Sequence, residues 1–96
     1  MNNSYETMFI LHPEQDQDET QEILNNLQSI IEKMEGEVTE VDDWGTRRLA
    51  YEINKIKEGH YYLVKFKSGG DIVPELEHFF RVTDGVIRYL VTRERG

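Results

Sequence analysis

The chain has 96 residues, of which 38% are hydrophobic and 31% are charged, and this composition suits one compact domain with a modest core. It contains no cysteine and no apolar run near the roughly 18 to 20 residues that cross a bilayer. Disulfides, thiolate chemistry and a membrane span are therefore excluded, and a reducing cytosol is expected. The net charge of −8 predicts that non-specific RNA binding by the chain alone is weak.

The first predicted elements are a strand and an amphipathic helix. Residues 5–11 are rich in aromatic and apolar side chains and stop at His12-Pro13, as a strand would. Asp16 and Asp18 are candidate N-caps of the helix that follows, and Gly36 is its expected C-cap. The helix carries an apolar stripe at spacings of three and four, which should pack in the core: Ile23, Leu24, Leu27, Ile30, Ile31 and Met34.

A long β-hairpin is predicted next. Residues 38–53 form its first strand, and Gly45 is expected to mark a bulge or bend within that strand. Residues 54–59 supply the turn, and residues 60–66 form the returning strand.

The last predicted elements are a short helix and a final strand. A loop at residues 68–71 leads into the helix, where Pro74 is tolerable only in the first turn, and the buried face of this helix comprises Val73, Leu76 and Phe80. Residues 83–85 turn the chain into a strand over residues 86–92. The order β-α-β-β-α-β predicts an α+β, ferredoxin-like domain over residues 1–96, with two helices on one face of a four-stranded antiparallel sheet.

Such a sheet has one face under the helices and one free face, and alternation divides each strand between them. The side chains expected to face the helices are Phe9, Leu11, Tyr62, Val64, Phe66, Tyr89 and Val91. Those expected to face outward are Met8, Ile10, Tyr61, Leu63, Arg88 and Leu90. An apolar free face of this size predicts a covering partner, unless the alternation is reversed in one strand.

The cations are concentrated in the second half of the chain. Residues 1–46 hold twelve acidic side chains and one basic one, whereas residues 47–96 hold ten basic and seven acidic ones. The basic side chains bunch into two groups, one of Arg47, Arg48, Lys55 and Lys57, the other of Arg88, Arg93 and Arg95. These side chains are either ordinary surface cations or local phosphate contacts. The acidity of the rest of the chain implies a basic partner.

The sequence offers no recognisable catalytic or metal-binding constellation. His12, His60 and His78 lack metal-ligand spacing, and adjacent strand carboxylates such as Asp42 and Asp43 point to opposite faces. No glycine-rich phosphate loop follows the first strand. An RNA-recognition motif shares the topology, but residues 59–66 give the free face only one aromatic side chain for stacking.

Four segments resemble the family of the sixth protein of the bacterial small ribosomal subunit. The most specific of them contains Trp44-Gly45-x-Arg47-Arg48-Leu49-Ala50-Tyr51. The resemblance extends over residues 5–93, and its segments are residues 5–13, 42–51, 57–61 and 86–91.

The resemblance implies a non-enzymatic structural constituent of the cytoplasmic ribosome. Members of the family pair with the basic eighteenth protein of the small subunit, and the pair binds the central domain of the small-subunit rRNA. No cofactor, metal, small-molecule substrate or membrane is expected. The candidate residues for docking the partner protein are Arg47, Arg48, Met8, Ile10, Tyr61, Leu63 and Leu90. The candidate rRNA contacts are Arg88, Arg93, Lys55 and Lys57. The alternative is a ferredoxin-like, homodimeric regulatory domain that senses a metabolite.

Overall fold

A computed structural model describes residues 3–94, which form four strands and two helices. Their bounds are β1 (Asn3–Leu11), α1 (Gln17–Lys33), β2 (Glu37–Ile53), β3 (Ile56–Ser68), α2 (Ile72–Val82) and β4 (Val86–Arg93). The strands lie in the order β2-β3-β1-β4, and each neighbouring pair is antiparallel. The predicted fold class is confirmed, while Arg95 lies outside the described residues.

One core lies between the sheet and the two helices. Both predicted helix stripes supply it, since Ile23, Leu27 and Ile31 of α1 are buried together with Leu76 and Phe80 of α2. The sheet contributes the side chains that alternation assigned to this face: Phe9, Leu11, Tyr62, Val64 and Phe66 are buried, and Tyr89 and Val91 are partly buried against them. The predicted division of β1, β3 and β4 between two faces is therefore confirmed.

Of the two caps predicted for α1, the N-cap is confirmed and the C-cap is wrong. Asp16 is the N-cap, and it exchanges hydrogen bonds with Glu19 in a capping box. At the other end Glu35, with φ 62°, takes the left-handed conformation that was expected of Gly36. The amides of Gly36 and Glu35 donate to the carbonyls of Ile31 and Glu32 at 2.8 and 3.0 Å, which is a Schellman motif.

The hairpin turn is shorter than the sequence predicted. Ile53 pairs with Ile56, so the turn consists of Asn54 and Lys55 alone, and residues 56–59 already belong to β3. Both turn residues have positive φ, 49° and 68°, which is the signature of a type I′ turn. The bulge expected at Gly45 is confirmed by its φ of 77° and a register shift between Asp43 and Gly45.

The second helix begins as predicted. Asp71 is its N-cap residue, and Pro74 lies in the first turn, where a missing N–H breaks no intrahelical hydrogen bond. Neither helix within residues 3–94 is long and apolar enough to cross a membrane.

Candidate functional site

The sheet face opposite the helices, called here the open face, carries the apolar side chains that alternation assigned to it. Met8, Tyr61 and Leu63 are half-buried there, and Leu90 is 60% exposed. Ile10 lies on the same face but is only 6% exposed, so little of its side chain is available to a partner. A groove of about 380 Å³ runs along β1 and β4, and it is lined by Met8, Ile10, Arg88, Tyr89 and Leu90.

A tryptophan that sequence reasoning did not select stands at the β2 bulge. The indole Nε1 of Trp44 donates to Asp42 Oδ2 at 3.0 Å. The guanidinium of Arg47 lies 5.2 Å from the centroid of the Trp44 ring, and its Nε donates to the Trp44 carbonyl at 3.3 Å. This is a preformed aromatic–cation pair of the kind enriched at the centre of protein interfaces. The signal in the sequence was a tryptophan beside a bulge glycine, where side chains are turned out of the sheet.

Arg47 and Arg48 lie on opposite faces of the hairpin. Arg47 pairs in register with Gly59, and Arg48 pairs with Glu58. Because cross-strand partners share a face, Arg47 belongs to the open face and Arg48 to the side that carries the helices. Only one of the two arginines can therefore contact a partner that covers the open face.

The end of the hairpin bends across the open face toward β4. Arg88 Nη1 donates to the hydroxyl of Tyr51 at 2.5 Å, and the guanidinium lies 5.1 Å from the centroid of the Tyr51 ring. Leu49, in the same part of β2, is buried. Arg88, a candidate rRNA contact, is thus already engaged by a tyrosine that alternation could not have placed there.

Three cations meet at a cleft between the hairpin end and the loop after β1. The cleft has a volume of about 600 Å³. Arg48, Lys55 and Lys57 line it, opposite His12 and Glu14. The structure therefore groups Arg48 with two of the candidate rRNA contacts and separates it from Arg47.

Arg93 lies at the opposite end of the sheet from this cleft. It pairs in register with Tyr5, and its Nη2 donates to Asn3 Oδ1 at 2.8 Å. The six residue-to-residue steps of β1 from Tyr5 to Leu11 span about 20 Å at the rise of a strand. The four candidate rRNA residues consequently do not form one continuous patch.

Asp43, His60 and Tyr62 form a polar cluster that ties the β2 bulge to β3. Asp43 Oδ1 is 2.5 Å from His60 Nε2 and accepts from the Gly45 amide at 2.8 Å, while the His60 ring stacks 4.5 Å from that of Tyr62. Partial burial tends to raise the pKa of Asp43, but its hydrogen bonds from His60 and Gly45 outweigh this and lower the pKa. Burial, and then the charge of Asp43, raise the pKa of Tyr62. A lowered carboxylate pKa and a raised phenol pKa keep both groups in their ordinary charge states at neutral pH.

The two adjacent carboxylates of β2 do not lie on the same face. Asp42 pairs with Leu63 and Asp43 pairs with Tyr62, so the two carboxylates face opposite sides of the sheet, as predicted. Within residues 3–94 no group of three or more histidine, aspartate or glutamate side chains is arranged to hold a metal ion. The fold and its surfaces define a small α+β domain with a partly exposed apolar face on its sheet.

Comparisons with known proteins identify the family. The sequence model described as Ribosomal protein S6 matches residues 4–93. The small ribosomal subunit protein bS6 of Carboxydothermus hydrogenoformans is 45% identical over 94 residues, covering 98% of each chain. Its counterpart in Clostridium novyi is 48% identical over 88 residues, covering 92% of this chain and 93% of the relative. This chain belongs to the ribosomal protein S6 family.

The solved structures agree with this assignment. The crystal structure of 30S ribosomal protein S6 from Thermotoga maritima superposes with a TM-score of 0.90 at 36% identity, covering 98% of this chain and 89% of that one. An uncharacterised protein from the same organism superposes with a TM-score of 0.61 at 10% identity, a likeness of fold alone. Membership makes the protein a structural, non-enzymatic component of the small subunit of the cytoplasmic ribosome.

Proposed function

We propose that this protein binds the central domain of the small-subunit rRNA as a heterodimer with the basic eighteenth protein of the subunit, which covers its open face. The observation that carries the proposal is the preformed pair of Trp44 and Arg47 on the same sheet face as an exposed apolar groove. A side chain such as Leu90, exposed on a groove of this size, is stabilised when a partner removes it from water.

Charge supports a basic protein as the partner. Residues 1–46 hold twelve acidic side chains against one basic one. A field of this sign attracts a basic protein and repels RNA phosphate. The Trp44–Arg47 pair then serves as an anchor, because the indole N–H and the guanidinium Nε–H already have acceptors within the protein and the remaining guanidinium N–H groups can donate to the partner.

The rRNA contacts in this proposal are divided between two places. Lys55 and Lys57 stand at the hairpin end, and Arg93 stands at the far end of β1. Arg88 lies between them, and its guanidinium donates a hydrogen bond to the Tyr51 hydroxyl. Arg88 would therefore contact phosphate either together with Tyr51 or after this hydrogen bond breaks. Residues this far apart are suited to following an RNA backbone rather than to reading a single base.

The first test compares two apolar side chains of equal exposure on opposite sides of the molecule. Leu90 on the open face is 60% exposed, and Val82 at the end of α2 is 61% exposed. We expect Leu90→Ser to weaken the heterodimer about tenfold or more in calorimetric titration with the basic partner, because Leu90 becomes buried on binding. Val82→Ser, the control, should bind the partner like the wild type.

Two results would contradict the proposal. One is the absence of any heat of binding between the wild-type protein and the basic partner. The other is an equal loss of affinity in Leu90→Ser and Val82→Ser, because the open face would then have no special role.

A further inference from the structure

The cleft at the hairpin end gathers three cations that form no salt bridge with the described residues. Arg48, Lys55 and Lys57 line it, together with the acidic Glu14 and Glu58. Among residues 3–94 the salt bridges within 4.0 Å are Lys65–Glu40 and His60–Asp43. The three cations of the cleft are therefore not neutralised by contact with a carboxylate and are available to an anion.

Lys55 holds its position in the cleft at a conformational cost. It is the second central residue of the type I′ turn and has a φ of 68°. Glycine adopts this conformation without strain and is strongly preferred there, whereas a long side chain with a Cβ is disfavoured. Strain at a surface turn that a glycine would relieve indicates that the side chain has a use.

His12 adds a hydrogen-bond donor on the other wall of the cleft. Its Nδ1 accepts a hydrogen bond from the Glu14 amide at 3.0 Å. A neutral imidazole carries one proton, so with Nδ1 as acceptor the proton resides on Nε2. The His12 ring is thereby held as a hydrogen-bond donor beside the cations.

We propose that this cleft binds the phosphate backbone of RNA through Arg48, Lys55, Lys57 and the Nε2–H of His12. The inference rests on the proposed function and deepens it, because it transfers Arg48 from the protein-docking surface to the RNA surface. The lining favours phosphate over an acidic peptide, since its apolar members are Pro13 and Ile56 and it lacks the aromatic anchor pocket that peptide recognition uses.

The test separates the strain of Lys55 from its contact with RNA. Lys55→Gly relieves the turn but removes the cation, so its melting temperature should rise by a few degrees. For the same variant, in complex with the basic partner, the affinity for central-domain rRNA should fall at least about threefold, and the slope of log K against log salt should shrink by about one unit. Lys33→Gln removes the same charge from the last turn of α1 and is the control, which should bind RNA like the wild type.

A second pair of variants tests the two faces of the hairpin. Arg48→Gln should lower RNA affinity and leave the dissociation constant of the heterodimer unchanged. Arg47→Gln should weaken the heterodimer in the absence of RNA. If the wild-type heterodimer does not bind central-domain rRNA, the proposed function is wrong. If the wild-type heterodimer binds this rRNA and the Lys55→Gly and Arg48→Gln variants bind it as tightly as the wild type, only the assignment of the cleft is wrong. A fall in the melting temperature of Lys55→Gly would refute the strain argument.

Discussion

At the scale of single residues, Gly36 shows how the end of α1 is joined to the sheet. A Cβ at Gly36 would lie 3.0 Å from Ile31 Cγ2 and from Ser68 Cβ, and closer still to the carbonyl oxygen of Lys67. The backbone of β3 cannot yield as a flexible side chain would. The glycine is therefore required for close packing against β3, and not for a left-handed conformation, which Glu35 adopts instead.

This distinction leads to a prediction for a pair of glycines. Gly36→Ala should destabilise the protein by about 1–3 kcal/mol through overpacking against the β3 backbone. Gly69→Ala is the matched control, because nothing lies within 4 Å of the Cβ it would add, and it should change stability by less than about 0.5 kcal/mol. Urea denaturation of both variants measures the difference. Equal stabilities would mean that α1 does not approach β3 so closely.

At the scale of elements, α1 is stabilised by its two ends and by one buried stripe. Asp16 and Glu19 satisfy amides at its start, and the Schellman motif satisfies carbonyls at its end. Leu27 stands in the middle of the stripe and is 1% exposed. Most of the free energy that holds the helix on the sheet therefore comes from side chains at this level of the core.

Leu27→Ala is expected to destabilise the protein by about 2–5 kcal/mol, through lost burial and a residual cavity. Leu24→Ala, one turn away on the same helix, should cost less because Leu24 is only partly buried. Chemical denaturation monitored by circular dichroism gives both values. A loss below about 0.5 kcal/mol at Leu27 would show that the helix stripe has been misread.

The elements also show what the sequence could predict. Periodicity identified both helix stripes and the alternation of the strands, because these patterns report burial directly. The hairpin turn was predicted too long because Asn54-Lys55 lacks the glycine that usually marks a type I′ turn. The contact of Tyr51 with Arg88 could not be predicted from the sequence, because it depends on register shifts in β2 near Gly45 and after Arg48 that no local pattern specifies.

At the scale of the whole molecule, charge is distributed so that the protein alone is a poor ligand for RNA. Its net charge is −8, which is the balance of −11 in residues 1–46 and +3 in residues 47–96. The cations of the hairpin end must therefore attract phosphate against the field of α1 and the first part of β2. A basic protein bound to the same chain would reverse that balance.

We accordingly expect the isolated protein to bind central-domain rRNA weakly at physiological salt, and the basic partner to tighten binding by orders of magnitude. Filter binding with and without the partner measures this difference. Replacing the acidic residues of α1 by neutral ones should reduce the difference in RNA affinity between the isolated chain and the heterodimer, because the chain then repels RNA phosphate less. Tight binding by the unmodified chain alone would contradict the prediction.

The placement of Arg47 and Arg48 on the two sides of a single hairpin has a consequence for how binding events communicate. A hairpin is one strand layer thick, on the order of 10 Å between the surfaces of its two faces. This is close to the Debye length of about 8–10 Å in physiological salt, so the potential of a charge brought to one face is weakened about threefold at the other but is still felt there. A cationic protein on the Arg47 side would thus raise the potential on the Arg48 side, and the two binding events would be coupled without any movement of the backbone.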